Sequence, residues 1–389
     1  MQFVLSEEQA ALKDAVERFV KARYGVAQRR QYRAEASGYS RENWQGLAQL
    51  GLLGLLFPAE YGGLGGGPGD LIAVMEALGG GLVVEPMLEE VIVAGGVLAH
   101  AGSQGQKAHW LPRITSGDAH VALAHFEQSA RFNLSDVRLR ATACAGGWVL
   151  DGEKSVVPLA AGADAYIVSA REIRDSTDPG GIGLYLVAAG SPGIERVDFR
   201  LVDGATASVL RLGGVLTADR LDGRFGDFAR AVDFGRLAAG AEMVGLMSML
   251  FNSTLDYLRT RKQFGAPLSS FQAIQHRLAD LYVVLEQSRS QVCRAAAFIG
   301  SGKDAGRSVA GMKSYVGRAA IAMGEACVHL HGGIGMSEEL AIGHGFKRLL
   351  VLAHLFGDPD SELARFTRFL DDRHPDEARP QPTAMEWAG

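Results

Sequence analysis

Cysteine is scarce in this chain: three in 389 residues, Cys144, Cys293 and Cys327, none in a Cys-x-x-Cys pair. That excludes a disulfide framework and a thiolate zinc site, and it fits a reducing, cytoplasmic setting. Basic charge is not in excess, since 39 Lys and Arg face 44 Asp and Glu for a formal net charge of -5. Without a basic face or a polybasic cluster, neither nucleic acid nor an anionic membrane is an expected partner. Long apolar runs are also missing, because Glu76, Glu85, Glu89 and Glu90 interrupt the stretch from Leu71 to His100. No membrane span is expected there, and Met1 to Gln9 lacks the pattern of a secretory signal. The histidines His329, His331, His344 and His354 fall at no usual metal spacing.

With 47% hydrophobic and 21% charged residues the chain can bury a large core and form two or three domains. Ser6 with Gln9 marks a capped helix start, and Ser40 another that Gly51 can end in the left-handed conformation. The glycine-rich run Tyr61 to Gly69 lacks the Lys-Ser/Thr of a phosphate loop and reads as a flexible connector between helices. Helical patterning through Leu71–Leu78, Pro86–Ala101 and Gln104–Ile114 completes an all-α domain over residues 1–117.

Near Gly117 the period changes from helical to alternating. Trp148-Val149-Leu150, Asp151-Gly152 and Ser155-Val156-Val157 predict a hairpin. Further strands are expected at Ala165–Ala170, Gly183–Val187, Gly193–Val197 and Ala207–Leu212, with a polar turn from Arg174 to Gly181. Together they predict a β-domain over 118–224, a small sandwich or barrel. Helical periodicity returns near Phe225. It predicts four long helices, Ala231–Arg259, Phe271–Phe298, Lys303–His331 and Phe346–Leu370, forming a four-helix bundle over 225–373. In it, Met243, Met247, Leu250 and Cys327 read as core. The proline-bearing tail 374–389 is expected to be mobile. The fold class is α+β, helical domain, β-domain, bundle.

The most legible stretch is Asp256 to Leu281, a helix, a turn at Gly265 and Pro267, and a second helix expected to start from a Ser269 cap with Gln272. Phe271, Ile274, Leu278, Leu281 and Leu285 form its inner stripe. Arg261, Gln263 and Phe264 are left over at the junction, where guanidinium, amide and aromatic face could meet something planar and anionic. Arg261 alone would equally complete a helix C-terminus.

Arg261-Lys262-Gln263-Phe264-Gly265, the run Phe271 to Arg277, Trp110-Leu111-Pro112, Asp151 to Lys154 and His331 to Gly335 occur together and in order. In this the chain resembles the acyl-CoA dehydrogenase family, flavoproteins that desaturate acyl-CoA thioesters. The resemblance implies FAD between β-domain and bundle, a dimer or tetramer, and electron-transfer flavoprotein as acceptor. It also implies a Glu base, because removing an α-proton while hydride leaves the β-carbon needs a carboxylate beside the α-carbon. The two positions where the family carries that Glu align with Gly357, taking Arg348 as the register mark, and with Gly235 before Arg236. Asp358, next to Gly357, is an alternative base in a self-sufficient homo-oligomer; equally, Asp358-Pro359 is a helix start. Phe126-Glu127 stands where the family commonly has Thr-Glu, and Lys154 to Pro158 where it has Lys-x-Trp-Ile-Thr; Pro158 cannot donate a backbone hydrogen bond.

The matching residues, Arg261, Gln263, Phe264, Gly332 and Gly333, with His329 where Gln is usual, correspond to positions that contact a flavin held by the neighbouring subunit. Arg236 matches a position near CoA. The resemblance therefore extends to Glu-lacking subunits of two-subunit bacterial members. It implies a chain lending FAD contacts to a Glu-bearing partner subunit, or a scaffold that binds no flavin.

Overall fold

The structure, a computed structural model, describes residues 5–173, 178–302 and 305–371. The expected mobile tail and much of the polar turn after Arg174 lie outside these residues. Helix α1 (Glu7–Arg23) starts as its sequence requires: the Ser6 hydroxyl accepts from the Gln9 amide while the Gln9 side chain accepts from the Ser6 amide. Helices α2 (Val26–Ala34) and α3 (Arg41–Gln49) follow, α3 capped by Ser40, with Gly51 left-handed at φ 76°. The glycine-rich segment is not a loose connector. Gly63, Leu64, Gly65 and Gly66 donate backbone bonds of 2.8–3.1 Å to the carbonyls of Pro58, Gly54, Phe57 and Leu55. A Cβ on Gly63 would stand 2.0 Å from the Phe57 carbonyl oxygen, so glycine here permits close packing. Helix α4 (Pro68–Gly80), a wide π-type segment Met87–Gly95, α5 (Gly96–Ala101) and α6 (Gln104–Thr115) complete the first helical layer.

The middle strands are β1 (Val121–Ala124), β2 (Arg140–Cys144), β3 (Gly147–Pro158), β4 (Ala165–Arg171), β5 (Ile182–Ala188), β6 (Ile194–Arg200) and β7 (Thr206–Thr217). They form one curled sheet, half a barrel, in the order β1-β4-β2-β3-β7-β6, with β5 pairing on β4. The hairpin expected at Asp151-Gly152 is absent. β3 runs straight through that dipeptide, with Gly152 at φ 144° in a register shift against β7 and the Asp151 carboxylate accepting from the Gly214 amide at 2.7 Å. Asp-Gly supplies the positive φ that a hairpin turn needs, and a bulge needs the same conformation. The actual hairpin joins β2 to β3 through residues 145–146. Along β4, Ala165 and Ile167 face the large helical core while Tyr166, Val168 and Ala170 join a second core on the other face.

Helices α7 (Phe225–Thr260), α8 (Gln272–Ser301), α9 (Ala305–His331), α10 (Ala341–His354) and α11 (Pro359–Asp371) make the C-terminal bundle. The 36-residue α7 is long and apolar enough to cross a membrane, but 83% of its apolar window is buried, with Met243, Met247 and Leu250 in the core. A Cβ on Gly245 of α7 would fall 2.0 Å from the Glu76 carbonyl oxygen, and one on Gly79 of α4 would fall 2.3 Å from that of Glu242. Bare backbones therefore meet where the two helical layers cross. Two expectations fail in this region. α8 does not start from a Ser269 cap: a 3-10 turn, Leu268–Ser270, intervenes, and no side chain caps the helix at Phe271. The fourth long helix is broken into α10 and α11, because Phe356 (φ 61°) and Gly357 (φ 135°) leave helical space before Asp358-Pro359 restarts it.

Candidate functional site

The break between α10 and α11 is held by buried charges. Arg236 on α7, 1% exposed, donates through Nε to the Phe356 carbonyl at 2.9 Å and through Nη1 to Asp233 at 2.8 Å. Its Nε also lies 2.9 Å from Glu362 Oε1. Arg365 joins Asp233 (2.8 Å) to Glu362 (3.2 Å). From α9, Lys313 Nζ donates to the carbonyls of Ala353 (2.9 Å) and Gly357 (2.8 Å). Burial pushes the Lys313 amine down to about 7 despite Glu362 nearby.

These contacts decide what positions 357 and 235 can carry. A Cβ on Gly357 would stand 2.4 Å from Glu362 Oε1, and one on Gly235 would stand 2.4 Å from Val93 Cγ2 and 3.5 Å from the Phe356 ring. Both glycines adjoin filled space. Asp358 is the helix cap, its Oδ1 accepting from the Ser361 amide at 2.7 Å. Arg236 is a fully buried clamp on the turn.

In front of the turn, between sheet and bundle, lies a cavity of about 570 Å³. Phe126 and Val156 form one wall, Leu350 and Leu355 the facing one, Leu201 and Val202 the rim, and Phe356 closes the inner end. Its polar side chains are largely committed. Glu127 accepts from Lys154 (2.7 Å) and from the amides of Arg138 and Leu139, and the Ser155 hydroxyl donates to the Phe126 carbonyl. Lys154 is fully buried, its amine lowered to about 8 by burial with Glu127 partly restoring it.

The helix-turn-helix residues sit elsewhere, on the surface. Lys262–Gln263 pairs with Ala266–Pro267 in a minimal hairpin whose tip, Phe264, is 93% exposed at φ 53°. Arg261, Gln263 and Phe264 are all exposed, and among the described residues the Gln263 amide donates only to the Lys262 carbonyl. His329 is exposed and bonded to Arg277 at 2.8 Å, and the exposed Gly332-Gly333 turn follows α9. The stretch from Arg277 along α8 adds Tyr282 and Val283, each more than half exposed. The structure thus separates two groups: the surface arm with Arg261, and the buried turn with Gly235, Arg236, Gly357 and Asp358.

Residues 6–118 match the description "Acyl-CoA dehydrogenase, N-terminal domain" and residues 225–369 "Acyl-CoA dehydrogenase, C-terminal domain". The chain belongs to the acyl-CoA dehydrogenase family. It is 28% identical to the probable acyl-CoA dehydrogenase YngJ of Bacillus subtilis over 378 residues, covering 94% of this chain and 98% of that one. Among solved structures, the Tcur3481-Tcur3483 steroid ACAD is similar at TM-score 0.88 and 28% identity, covering 96% of this chain and 100% of that chain. The ChsE4-ChsE5 complex of Mycobacterium tuberculosis is similar at 0.86 and 28%, covering 96% and 99%. Members of this acyl-CoA dehydrogenase family bind FAD.

Two residues on β3 depart from the family pattern beside this cavity. Pro158 brings no N–H, Val156 stands where the family has Trp, and among the described residues no buried side-chain nitrogen or oxygen of its lining lacks a partner. The surface arm is chemically suited to a pyrophosphate and an adenine, with a guanidinium, an amide and an aromatic face exposed together. Sequence reasoning missed Lys313, Glu362 and Phe356. Lys313 is a lone cation within the apolar run Val309 to Val316, which was its one visible signal.

Proposed function

We propose that this chain is the Glu-lacking subunit of a two-subunit, FAD-dependent acyl-CoA dehydrogenase, comparable to the small subunit of pimeloyl-CoA dehydrogenase. One observation carries the reading. In the family register Gly357 stands where the base belongs, and the room for a side chain there is filled by the Glu362 carboxylate bound to Arg236. The exposed arm supports the second half of the proposal: Arg261, Gln263 and Phe264, with His329, Gly332 and Gly333, lie open to a neighbouring subunit and would reach its FAD.

FAD bound there would accept the hydride from the β-carbon, and the partner's Glu would take the α-proton. This chain's own contribution is to bind and orient: Arg261 presents paired donors to phosphate oxygens, and Phe264 offers a flat apolar face. The assembly proposed is a hetero-dimer or tetramer of cytoplasmic subunits, consistent with three unpaired cysteines. Its domains are taken as 1–117, 118–224 and 225–373. The structurally similar ChsE4-ChsE5 complex is a precedent for unlike subunits.

The test is the visible absorbance of the purified chain, alone and after co-expression with a Glu-bearing homologue encoded nearby. Flavin appearing only in the mixed complex, with acyl-CoA turnover, supports the proposal. Flavin at one per chain with turnover in the homo-oligomer would instead favour Asp358 as base, and flavin in neither preparation a scaffold. Phe264→Ser should leave the chain's own stability within ~0.5 kcal/mol, as for exposed sites generally, while lowering the flavin content of the mixed complex.

A further inference from the structure

A second cavity, of about 560 Å³, lies where α1 and α2 meet α7 and α10, and it shares no lining residue with the one between sheet and bundle. Its volume is within the range of small-molecule sites. Arg29 of α2 lines it and is only 4% exposed. The guanidinium donates through Nε to the Leu82 carbonyl and through Nη1 to His344 Nδ1, each at 3.2 Å, and among the described residues Nη2 has no partner. Arginine can only donate, so Nδ1 is the bare nitrogen of that imidazole; Nε2 carries the proton and gives it to the Glu338 carbonyl at 3.1 Å. Arg29 is therefore met by two neutral acceptors. It makes no ion pair among the described residues.

The acids within its field are already claimed. Asp203 serves Arg348 at 3.2 Å and Arg33 at 3.6 Å, and Glu338 holds Lys347 at 2.6 Å. Burial pushes the Arg29 guanidinium down to about 10 and the Arg33 charge adds to the fall, yet at neutral pH the group stays charged. Buried charges are ordinarily paired, and this one is not. A second orphan stands in the same wall: the Tyr24 hydroxyl is buried and has no hydrogen-bond partner. Lys21, one turn earlier on α1, lines the cavity from its exposed edge and makes no ion pair among the described residues. Of the bordering acids, Glu76 is held by Lys13 and Arg289 and Asp256 by Arg259, which leaves only the exposed Glu17 against two free cations.

We propose that this cavity is an anion site for phosphate, free or as the phosphate group of a small ester, seated between the Arg29 guanidinium and the Tyr24 hydroxyl with Lys21 at its edge. Two cations and a hydroxyl in one chamber suit a dianion with several acceptor oxygens better than a carboxylate, and the guanidinium fork matches phosphate geometry. Phosphate there would supply the counter-charge that Arg29 lacks and tie the α1–α2 corner to α7 and α10. The proposal does not depend on the arm serving a neighbour.

Calorimetric titration of the full-length chain with inorganic phosphate, at an ionic strength held constant with chloride, should show one saturable site per chain. The thermal midpoint should rise along the same curve. Tyr24→Phe should leave the midpoint of the phosphate-free chain unchanged, since the hydroxyl has no partner to lose, while weakening binding at least about tenfold, the worth of one hydrogen bond to a charged group. Lys21→Gln should weaken it about two- to fivefold, the range of an exposed ion pair. Arg29→Met should abolish it; the other two variants keep the test intact if that one fails to fold. Glycerol 3-phosphate displacing phosphate at lower concentration assigns the site to an ester, and weaker displacement assigns it to the free ion. A midpoint that climbs without saturation, and equally in Tyr24→Phe, is the general effect of an excluded salt and would overturn the proposal. So would saturable binding that Tyr24→Phe and Lys21→Gln leave intact. Flavin recruitment by the mixed complex is a separate readout, so either proposal can fail while the other stands.

Discussion

Glu362 and a side chain at position 357 compete for one volume. Gly357→Glu is therefore a poor way to restore a base by itself. The new side chain meets a carboxylate already fixed by two arginines, on a backbone at φ 135° that L-residues rarely adopt. Crowding and backbone strain should together cost about 2–5 kcal/mol. Glu362→Ala alone should also be costly, about 3–5 kcal/mol, since it leaves Arg236 buried with one partner fewer. Combined, the two should be less destabilising than their sum by at least ~1 kcal/mol, because the introduced carboxylate can serve Arg236 once the space is free. Urea denaturation of the four proteins checks this, and strict additivity would refute shared occupancy. The sequence showed the glycine but not its tenant: Glu362 looks like an ordinary first-turn acid of α11, and only the positive φ values at 356 and 357 bend the chain enough to bring it back.

At the scale of elements, α9 contributes a pH-sensitive strut. Lys313 sits near 7 in the fold and would sit near its ordinary value of 10.5 when unfolded. Between those values the unfolded chain binds the proton that the folded chain does not, so stability rises with pH from about 7 to about 10.5 and is flat in this component below 7. Lys313→Met should remove that slope from denaturation midpoints measured across the interval, although it orphans two carbonyls and lowers stability in the alkaline range. Elements with a strong helical period were legible from sequence, as α1, α7 and α8 show. Their joints were not. Asp151-Gly152 serves a bulge as readily as a turn, and although Asp358-Pro359 marked the start of α11, the break before it is masked by Leu349, Leu352 and Phe356, which continue the helical period. The surface arm was legible because Gly265 and Pro267 punctuate it and the aromatic at its tip has no apolar partners at helical spacing.

Across the whole molecule, three layers are fastened at Arg348. It binds Glu242 of α7 through two contacts of 2.7 and 3.1 Å, Glu89 of the π-type segment at 3.4 Å, and Asp203 of the β6–β7 turn at 3.2 Å. Arg33 of α2 approaches Asp203 at 3.6 Å. Burial works against the Arg348 charge, but the three acids outweigh it and hold the guanidinium well above its ordinary value. Asp203 follows Leu201 and Val202, so the same clasp anchors a turn that lines the cavity between sheet and bundle. Asp203→Ala should cost about 3–5 kcal/mol by leaving two buried guanidinium groups undercompensated. Hydrogen exchange should show faster turnover at residues 201–205 than elsewhere in the sheet. The sequence order of helices, strands, helices announced the architecture; nothing local in it announced a clasp joining residues so distant along the chain.

The crossing of α4 and α7 at Gly79 and Gly245 bears on how such a molecule can be divided. Peptide groups there lie against each other with no side chain between them, so the first hundred residues are not an appendage that a protease or a gene truncation could remove cleanly. A fragment beginning at Phe225 would bare a strip of unshielded main chain along its longest helix, and it should recover its shape only when the missing segment is supplied in trans.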